Sequence, residues 1–413
     1  MIPAGQPAVL PFGRTVALHS LGWLLAANLV GVWLGVVVVW PAVGDAIAPL
    51  TYGRWMPLHL DWQLYGWCSL PLVGGLLAWY ADTGHPDVRR HVQVALGAWS
   101  VALALGGVAW LGGTTSGRLF LDWHGWALPL LPGAMHIVWA FLAAHTWWRW
   151  RGLSVAGRRG RSVVLLLLLV VPSILYWAAG RAVHPPVNPD SGGATGASLL
   201  GSTLGIVTIY FGLPAFLGLA HRGRWTFFGV ALGLSWLVFA VIDRGHASHH
   251  APAQIAALAV LLAWIPLLPL HWERYLWPAA ARPWLRAAAA WWALLVLSGW
   301  VTFLPGVSES QKFTHGLVAH AHLAMAGLVT SVNAAIIVVL SARAVPRAVF
   351  LTWQAGCALY VASMLVLGAR EADHVAELFR SEGWTQGLLG LRLAGGVAMA
   401  GASAWWIRDF FRR

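Results

Sequence analysis

Charged residues are scarce in this chain, and their scarcity excludes most soluble folds. Only 10% of its 413 residues are charged, whereas 59% are hydrophobic. A soluble domain carries roughly a quarter charged residues. The composition therefore predicts an all-α integral membrane protein, because an isolated span has to satisfy its own backbone hydrogen bonds inside lipid.

Lysine and cysteine are also rare. Lys312 is the only lysine, so arginine supplies the formal net charge of +12, and the arginines cluster in short loops between apolar runs. This distribution is typical of cytoplasmic loops and argues against nucleic acid as a partner. The two cysteines, Cys68 and Cys357, lie within apolar runs, which argues against a disulfide framework. The chain has no C-x-x-C-H motif and so no covalently attached c-type heme.

The apolar runs of about 18 or more residues predict the topology. Arginine-rich connections such as "RWRGLSVAGRRGR" alternate with connections poorer in positive charge. The sequence thus predicts one membrane domain over residues 1–413, with twelve transmembrane helices, both termini in the cytoplasm and no internal repeat. A bacterial inner membrane is the expected location. The expected spans are 17–43, 57–80, 91–113, 124–147, 161–179, 197–221, 225–243, 255–271, 284–304, 314–341, 347–368 and 385–408.

Histidines from four separate segments converge on one depth near the outer face of this topology. Ionisable groups are rare within membrane spans and usually serve function there. Ligation of a metal or a heme is therefore the favoured interpretation. The set comprises His59, His184, His246, His249, His250, His315, His320 and His322.

The remaining histidines fit plainer roles. His19, His136 and His145 are expected to form hydrogen bonds between helices or to lie at the membrane interface. His91 and His221 lie at the cytoplasmic ends of spans, as surface groups do.

The stretch "THGLVAHAHLAMAG" carries two histidines separated by one residue. On an α-helix, His320 and His322 point about 200° apart, so they cannot share one small metal ion. Two flat cofactors, one on each side of the helix, would use both side chains. His59 has the depth to supply the second ligand of one of them, and the "HASHH" cluster would face the other.

These residues resemble the catalytic subunit of heme-copper oxidases and nitric oxide reductases. "GRWMPLHL" is similar to the second-span segment that supplies a low-spin heme ligand in that family. "THGLVAHAHLAMAG" resembles the tenth-span motif of the nitric oxide reductase large subunit. "SGRLFLDWHGWALP" weakly resembles an outer-loop motif of that branch and of the C-family cytochrome c oxidases.

The resemblance implies two hemes, expected to be b-type, and their ligands. His59 and His322 correspond to the axial ligands of a low-spin heme, and His320 to the proximal ligand of a high-spin heme. His249 and His250 correspond to an adjacent pair that binds a second metal, which is copper in oxidases and non-heme iron in nitric oxide reductases. Imidazole suits either metal.

Two positions depart from the family pattern. Ser202 falls where the family places another histidine of the second metal. His246 or His184 are the candidate substitutes, but an alternative alignment matches His246 to the first histidine of the adjacent pair. The second-metal site is therefore intact, remodelled or absent. Phe239 lies in the span where C-family oxidases carry a redox-active tyrosine, and its presence favours the nitric oxide reductase branch.

Arginines near the outer face are candidates for binding heme propionates, because guanidinium recognises carboxylates with two parallel hydrogen bonds. An ordinary interfacial role is the alternative for each of them. The candidates are Arg54, Arg244, Arg370 and Arg380.

The expected function is that of a membrane oxidoreductase subunit. It would take electrons from an outer-face cytochrome c-type subunit through the low-spin heme to the high-spin heme, where NO, or less readily O2, is reduced. Proton pumping is not expected, because the spans hold few acidic groups. One alternative is a non-catalytic diheme subunit for electron transfer or gas sensing in a larger respiratory complex. Another is a transporter, which leaves the paired histidines unexplained.

Overall fold

The computed structural model describes residues 10–180, 196–223, 226–242, 251–311, 314–371 and 382–412. These residues are almost entirely helical, and the single β-bridge among them joins His221 and Tyr275. The α-helices are α1 (Gly13–Val39), α2 (Pro41–Asp45), α3 (Tyr52–Asp61), α4 (Leu70–Tyr80), α5 (Val88–Leu111), α6 (Leu130–Arg149), α7 (Val155–Ala179), α8 (Gly196–Phe216), α9 (Thr226–Ile242), α10 (Pro252–Glu273), α11 (Arg282–Val301), α12 (Val307–Gln311), α13 (His315–His322), α14 (Thr330–Ser341), α15 (Arg347–Glu371) and α16 (Gly383–Arg412).

Helices account for all of the predicted spans, although not always in one piece. Within the described ranges, nine helices are long and apolar enough to cross a membrane. Two further apolar helices, Leu200–Phe216 within α8 and α9, fall short of that length, and the second predicted span is broken. The all-helical, multi-pass membrane class is confirmed. The number of twelve spans and the cytoplasmic position of the termini stay predictions.

Two of the predicted spans continue through a π-helix rather than through a regular α-helix. In the second span, α3 passes into the π-helical segment Trp62–Cys68 before α4 begins. In the tenth span, α13 passes into the π-helical segment Leu323–Val329 before α14 begins. Both π-helical segments directly follow a helix that carries predicted ligand histidines.

The chain divides into two compact units. The first unit comprises the described residues of Ala8–His184, Ile336–Thr352 and Gly396–Arg413. The second unit comprises the described residues of Pro185–Ala335 and Trp353–Gly395. The prediction of one membrane domain stays a prediction.

Tryptophan side chains hold neighbouring helices together inside each unit. In the first unit, the indole nitrogen of Trp62 donates to the carbonyl oxygen of Leu103 in α5, at 3.0 Å. In the second unit, Trp292 of α11 donates to the carbonyl oxygen of Trp264 in α10, at 2.7 Å. Many of the 29 tryptophans are thus structural, since a buried indole supplies a large apolar surface together with one hydrogen-bond donor.

Candidate functional site

The side chain of His59 on α3 is held by α1. Its Nδ1 lies 2.9 Å from the carbonyl oxygen of Ala27. A carbonyl oxygen only accepts hydrogen bonds, so Nδ1 carries the hydrogen and Nε2 carries the lone pair of the neutral ring. Gly31 leaves room for the ring, because a Cβ there would lie 2.6 Å from Cε1 of His59. The imidazole therefore presents Nε2 as its basic nitrogen.

The side chain of His320 on α13 is held by α11 in a similar way. Its Nδ1 lies 3.1 Å from Oγ of Ser298, and that hydroxyl lies 3.2 Å from the carbonyl oxygen of Leu295. Since Ser298 has to donate to the carbonyl, it accepts from Nδ1 of His320. A Cβ at Gly299 would lie 3.1 Å from Cε1 of His320. His320 thus also presents Nε2 as its basic nitrogen.

The side chain of His322 lies against a different helix. Its Nδ1 donates to the carbonyl oxygen of Val318, at 2.8 Å. Its ring stacks on Tyr360 of α15, with centroids 4.3 Å apart and planes at 27°. His320 contacts α11 and His322 contacts α15, as the spacing of the two histidines predicts. The two imidazoles therefore lie on different sides of α13.

The first turn of α13 is fixed by a cap and by a close backbone contact. Glu371, at the end of α15, accepts hydrogen bonds from the backbone nitrogen and Nδ1 of His315, at 2.7 and 3.0 Å. A Cβ at Gly368 would lie 2.6 Å from Cα of Gly316, so α13 and α15 approach backbone to backbone. Glu371 thus caps the start of α13 and also holds the ring of His315.

The π-helical segment that follows His59 has its wide turn closed by two side chains. Oγ of Ser69 donates to the carbonyl oxygen of Leu64, five residues earlier, at 2.8 Å. The indole nitrogen of Trp99 in α5 donates to the next carbonyl, that of Tyr65, also at 2.8 Å. Carbonyl groups that the π-turn displaces from regular helical geometry are thus satisfied.

The π-helical segment that follows His320 is closed in the same way. Oγ1 of Thr330 donates to the carbonyl oxygen of Met325, five residues earlier, at 2.9 Å. The indole nitrogen of Trp353 in α15 donates to the next carbonyl, that of Ala326, at 2.9 Å. The hydroxyl residue follows the histidine by ten positions in both segments.

The packing of these two segments is also alike. A Cβ at Gly66 would lie 2.7 Å from Cβ of Trp23 in α1, and a Cβ at Gly327 would lie 2.6 Å from Cδ2 of Trp291 in α11. Each glycine follows its histidine, His59 or His320, by seven residues. The helices α1, α3 and α5 of the first unit are thus built like α11, α13 and α15 of the second. The correspondence lies in the spacing of a few residues and their contacts, and the prediction that the sequence has no internal repeat stays a prediction.

The two described arginines that were predicted to bind propionates have other contacts. Nη1 of Arg54 donates to the carbonyl oxygen of Leu111 at 2.8 Å, so this side chain caps the end of α5. Arg370 is exposed and lines a surface cavity of about 630 Å³ together with Glu382 and Trp384. Their binding of propionates stays a prediction, as does the pairing of His59 with His322 around one heme.

Several predicted site residues lie outside the described residues. These include the proposed metal ligands. They are His184, His246, His249, His250, Arg244 and Arg380. Over the described ranges, no group of three or more His, Cys, Asp or Glu residues could hold a metal ion. Ser202, which departs from the expected histidine pattern, is exposed on α8.

The histidines expected to be structural have structural contacts. Nδ1 of His19 lies 2.8 Å from Oγ of Ser100, which joins α1 to α5. Nδ1 of His145 accepts the backbone hydrogen of Asp82 at 3.0 Å. His136 bonds to a carbonyl of its own helix. The interpretation of His19 and His145 as hydrogen bonders between segments is confirmed.

Four residues around the two paired histidines were missed by sequence reasoning. Ser298, Tyr360 and Glu371 carry no sequence signal that separates them from ordinary polar residues of spans. Arg392 does carry one, because it interrupts the apolar run "LGLRLAGG", and a charge inside a span indicates function.

Comparisons with known proteins support the fold but give no relative by sequence. No protein-family model matches the chain, and no curated protein matches it. Among solved structures, the chain is similar to a protein described as a heme-copper terminal oxidase dimer, with a TM-score of 0.54 and 14% sequence identity. The match covers 97% of this chain and 84% of that one. The chain therefore shares its fold with a heme-copper terminal oxidase.

Proposed function

We propose that this protein is a heme-binding oxidoreductase subunit of a respiratory complex in the bacterial inner membrane. It takes electrons from an outer-face cytochrome c-type donor and reduces NO, or less readily O2. One observation carries the proposal. His320 and His322 lie against different helices, and each imidazole has its Nδ1 bonded to an oxygen of the protein.

The imidazole nitrogens of these histidines are suitable ligands for heme iron. His59 and His322 would hold a low-spin heme, expected to be b-type, and His320 would hold a high-spin heme. Arg54 and Arg370 are proposed to contact the propionates. Heme iron, when bound, supplies one-electron transfer and a coordination position for a small gas molecule.

The protein's own groups orient and tune these ligands. An acceptor at Nδ1 fixes the rotation and tautomer of each ring and raises the basicity of Nε2. Ser298 does this for His320, and the carbonyl oxygens of Ala27 and Val318 do it for His59 and His322.

The second metal is part of the proposal for catalysis. His249 and His250, with His246, are proposed to bind copper or non-heme iron beside the high-spin heme. A non-catalytic diheme subunit for electron transfer or gas sensing is the second candidate. The serine at position 202 favours it, because a serine supplies no imidazole to complete the metal site.

Difference spectra of the purified chain test the proposal. Reduced-minus-oxidised spectra count the hemes, carbon monoxide binding identifies the high-spin heme, and elemental analysis gives iron and copper per chain. We expect two hemes, one of which binds carbon monoxide. His322→Ala should remove the low-spin signal, and His320→Ala should remove the carbon monoxide signal.

His136 provides a matched control. Its Nδ1 donates to the carbonyl oxygen four residues earlier at 2.8 Å, as in His322, but it is not a proposed ligand. His136→Ala should keep both signals. A chain without heme overturns the proposal, whereas two hemes with no further metal select the second candidate.

A further inference from the structure

Arg392 is a charged side chain inside a membrane span. It lies nine residues after the start of α16, or roughly 14 Å along a helix that rises 1.5 Å per residue. Its side chain is half-buried, and within the described residues it forms no ion pair with a carboxylate. A guanidinium at this depth is costly and usually serves function.

The partner of Arg392 is Tyr360. Nε of Arg392 donates to the tyrosine hydroxyl at 3.0 Å, and the guanidinium carbon lies 5.5 Å from the centre of its ring. Only 8% of Tyr360 is exposed. The same ring stacks on the imidazole of His322. Guanidinium, phenol and imidazole therefore form one continuous contact chain from α16 through α15 to α13.

A close approach of the α15 and α16 backbones fixes the position of Arg392 relative to Tyr360. A Cβ at Gly395 would lie 2.7 Å from the carbonyl oxygen of Gly356 and 3.0 Å from the backbone nitrogen of Tyr360. Gly395 follows Arg392 by three residues, so both lie on the face of α16 that meets α15. The arginine is therefore directed to Tyr360 by packing of small residues, which is how membrane helices approach closely.

We propose that Tyr360 and Arg392 are positioning residues that set the reduction potential of the cofactor bound by His322. The proposal rests on heme binding at His322. Stacking on Tyr360 fixes the plane of the imidazole, and Arg392 adds a fixed positive charge to the same region. One-electron reduction lowers the charge of the ligated iron by one, so a nearby cation favours the reduced state.

Potentiometric titration of the purified full-length protein tests this role. In Arg392→Gln, the ratio of reduced to oxidised low-spin heme at a given ambient potential should fall about tenfold, which corresponds to about 59 mV for one electron. Arg392→Lys keeps the charge and should recover most of the shift. Tyr360→Phe keeps the stacked ring and removes the acceptor for Arg392, so it should give a smaller shift in the same direction.

Tyr360→Leu removes the stacked ring and should change the electron paramagnetic resonance g values of the low-spin heme, which report the planes of its axial imidazoles. Arg343 is the matched control, since it is half-buried and lies 5.3 Å from the ring of Phe410 without a proposed ligand beside it. Arg343→Gln should leave the potential unchanged.

The outcomes separate this inference from the proposed function. An unchanged potential in Arg392→Gln with an intact low-spin spectrum overturns the inference and leaves the function standing. Absence of heme in the unmodified protein overturns both. If Arg392→Gln does not fold, a normal potential in Tyr360→Phe and normal g values in Tyr360→Leu still overturn the inference.

Discussion

At the scale of single residues, the imidazoles of His59 and His320 differ in how they reach the neighbouring helix. His59 bonds directly to the carbonyl oxygen of Ala27, whereas His320 reaches the equivalent carbonyl, that of Leu295, through the hydroxyl of Ser298. The orientation of the His320 ring therefore depends on one side chain, that of Ser298. His59 has no such dependence.

This difference predicts the effect of Ser298→Ala. Loss of the acceptor at Nδ1 should weaken heme binding at His320 by about tenfold or more, the usual effect of removing a partner of a ligating histidine. Heme titration of the apoprotein, followed by the carbon monoxide signal, measures it.

Ser363→Ala is the matched control, because Ser363 bonds only within α15, to the carbonyl oxygens of Leu359 and Tyr360. Equal affinity in Ser298→Ala and the unmodified protein would contradict the role of the hydroxyl.

A second prediction concerns the glycine beside His59. In Gly31→Ala, the new methyl group would lie 2.6 Å from Cε1, so the imidazole has to move. Overpacking of this kind costs about 1–3 kcal/mol, and the displaced ring should no longer hold a low-spin heme. Heme content and the low-spin absorption band per chain measure the loss.

Gly22→Ala on the same helix is the control, since a Cβ there has nothing within 4 Å. It should be neutral or stabilising, because alanine favours a helix by up to about 1 kcal/mol over glycine. A normal low-spin band in Gly31→Ala would be evidence against His59 as a ligand.

At the scale of elements, the hydropathy of the sequence predicted the helices but not the positions at which they end or change to a π-helix. The first helix ends at Val39 rather than at the predicted residue 43, because Trp40 leaves helical geometry and Pro41 starts the next helix. The change to a π-helix after Asp61 leaves no trace in an apolar pattern. It depends on hydrogen bonds from Ser69 and Trp99, which come from side chains rather than from periodicity.

The sequence predicted the features of the site that depend on one helix, but not those that depend on the packing of two helices. The opposite directions of His320 and His322 follow from helix geometry alone. The contacts of Ser298 and Tyr360 with them depend on how α11 and α15 pack against α13. A single sequence does not encode such packing in a readable pattern.

The hydroxyl groups that close the π-helical segments give a prediction for stability. Thr330→Val keeps the shape of the side chain but removes the donor to the carbonyl oxygen of Met325. Since Thr330 is 1% exposed, the loss should destabilise the protein by about 1 kcal/mol. Thermal unfolding in detergent measures the change.

Thr146→Val serves for comparison, because the buried Thr146 bonds four residues back, to the carbonyl oxygen of Leu142, within the regular α-helix α6. It should destabilise the protein less than Thr330→Val does. The reverse order would show that the π-helical segment does not depend on its hydroxyl group.

At the scale of the whole molecule, the predicted topology can be tested by labelling. The connections on either side of α6 should lie on opposite sides of the membrane, with the arginine-rich one inside. Leu119 and Val155 lie in or next to these connections and are 70% and 59% exposed. In a background with the buried Cys68 and Cys357 replaced, Leu119→Cys should react with an impermeant maleimide on intact cells.

Val155→Cys should react with that maleimide only after the cells are broken open. Because the two positions have similar exposure, a difference in labelling reports the side of the membrane. Labelling of Val155→Cys on intact cells would contradict the predicted orientation.

The similar construction around His59 and His320 constrains the number of residues that each of the two segments can contain. From His59 to Ser69 and from His320 to Thr330, only the histidine and the glycine seven residues later are identical, yet the contacts correspond. The intervals are preserved while most of the residues differ. An insertion or deletion of one residue within either interval turns the histidine by about 100° relative to its glycine and hydroxyl partners. A change in the length of either interval should therefore disturb the site more than most single amino-acid substitutions do.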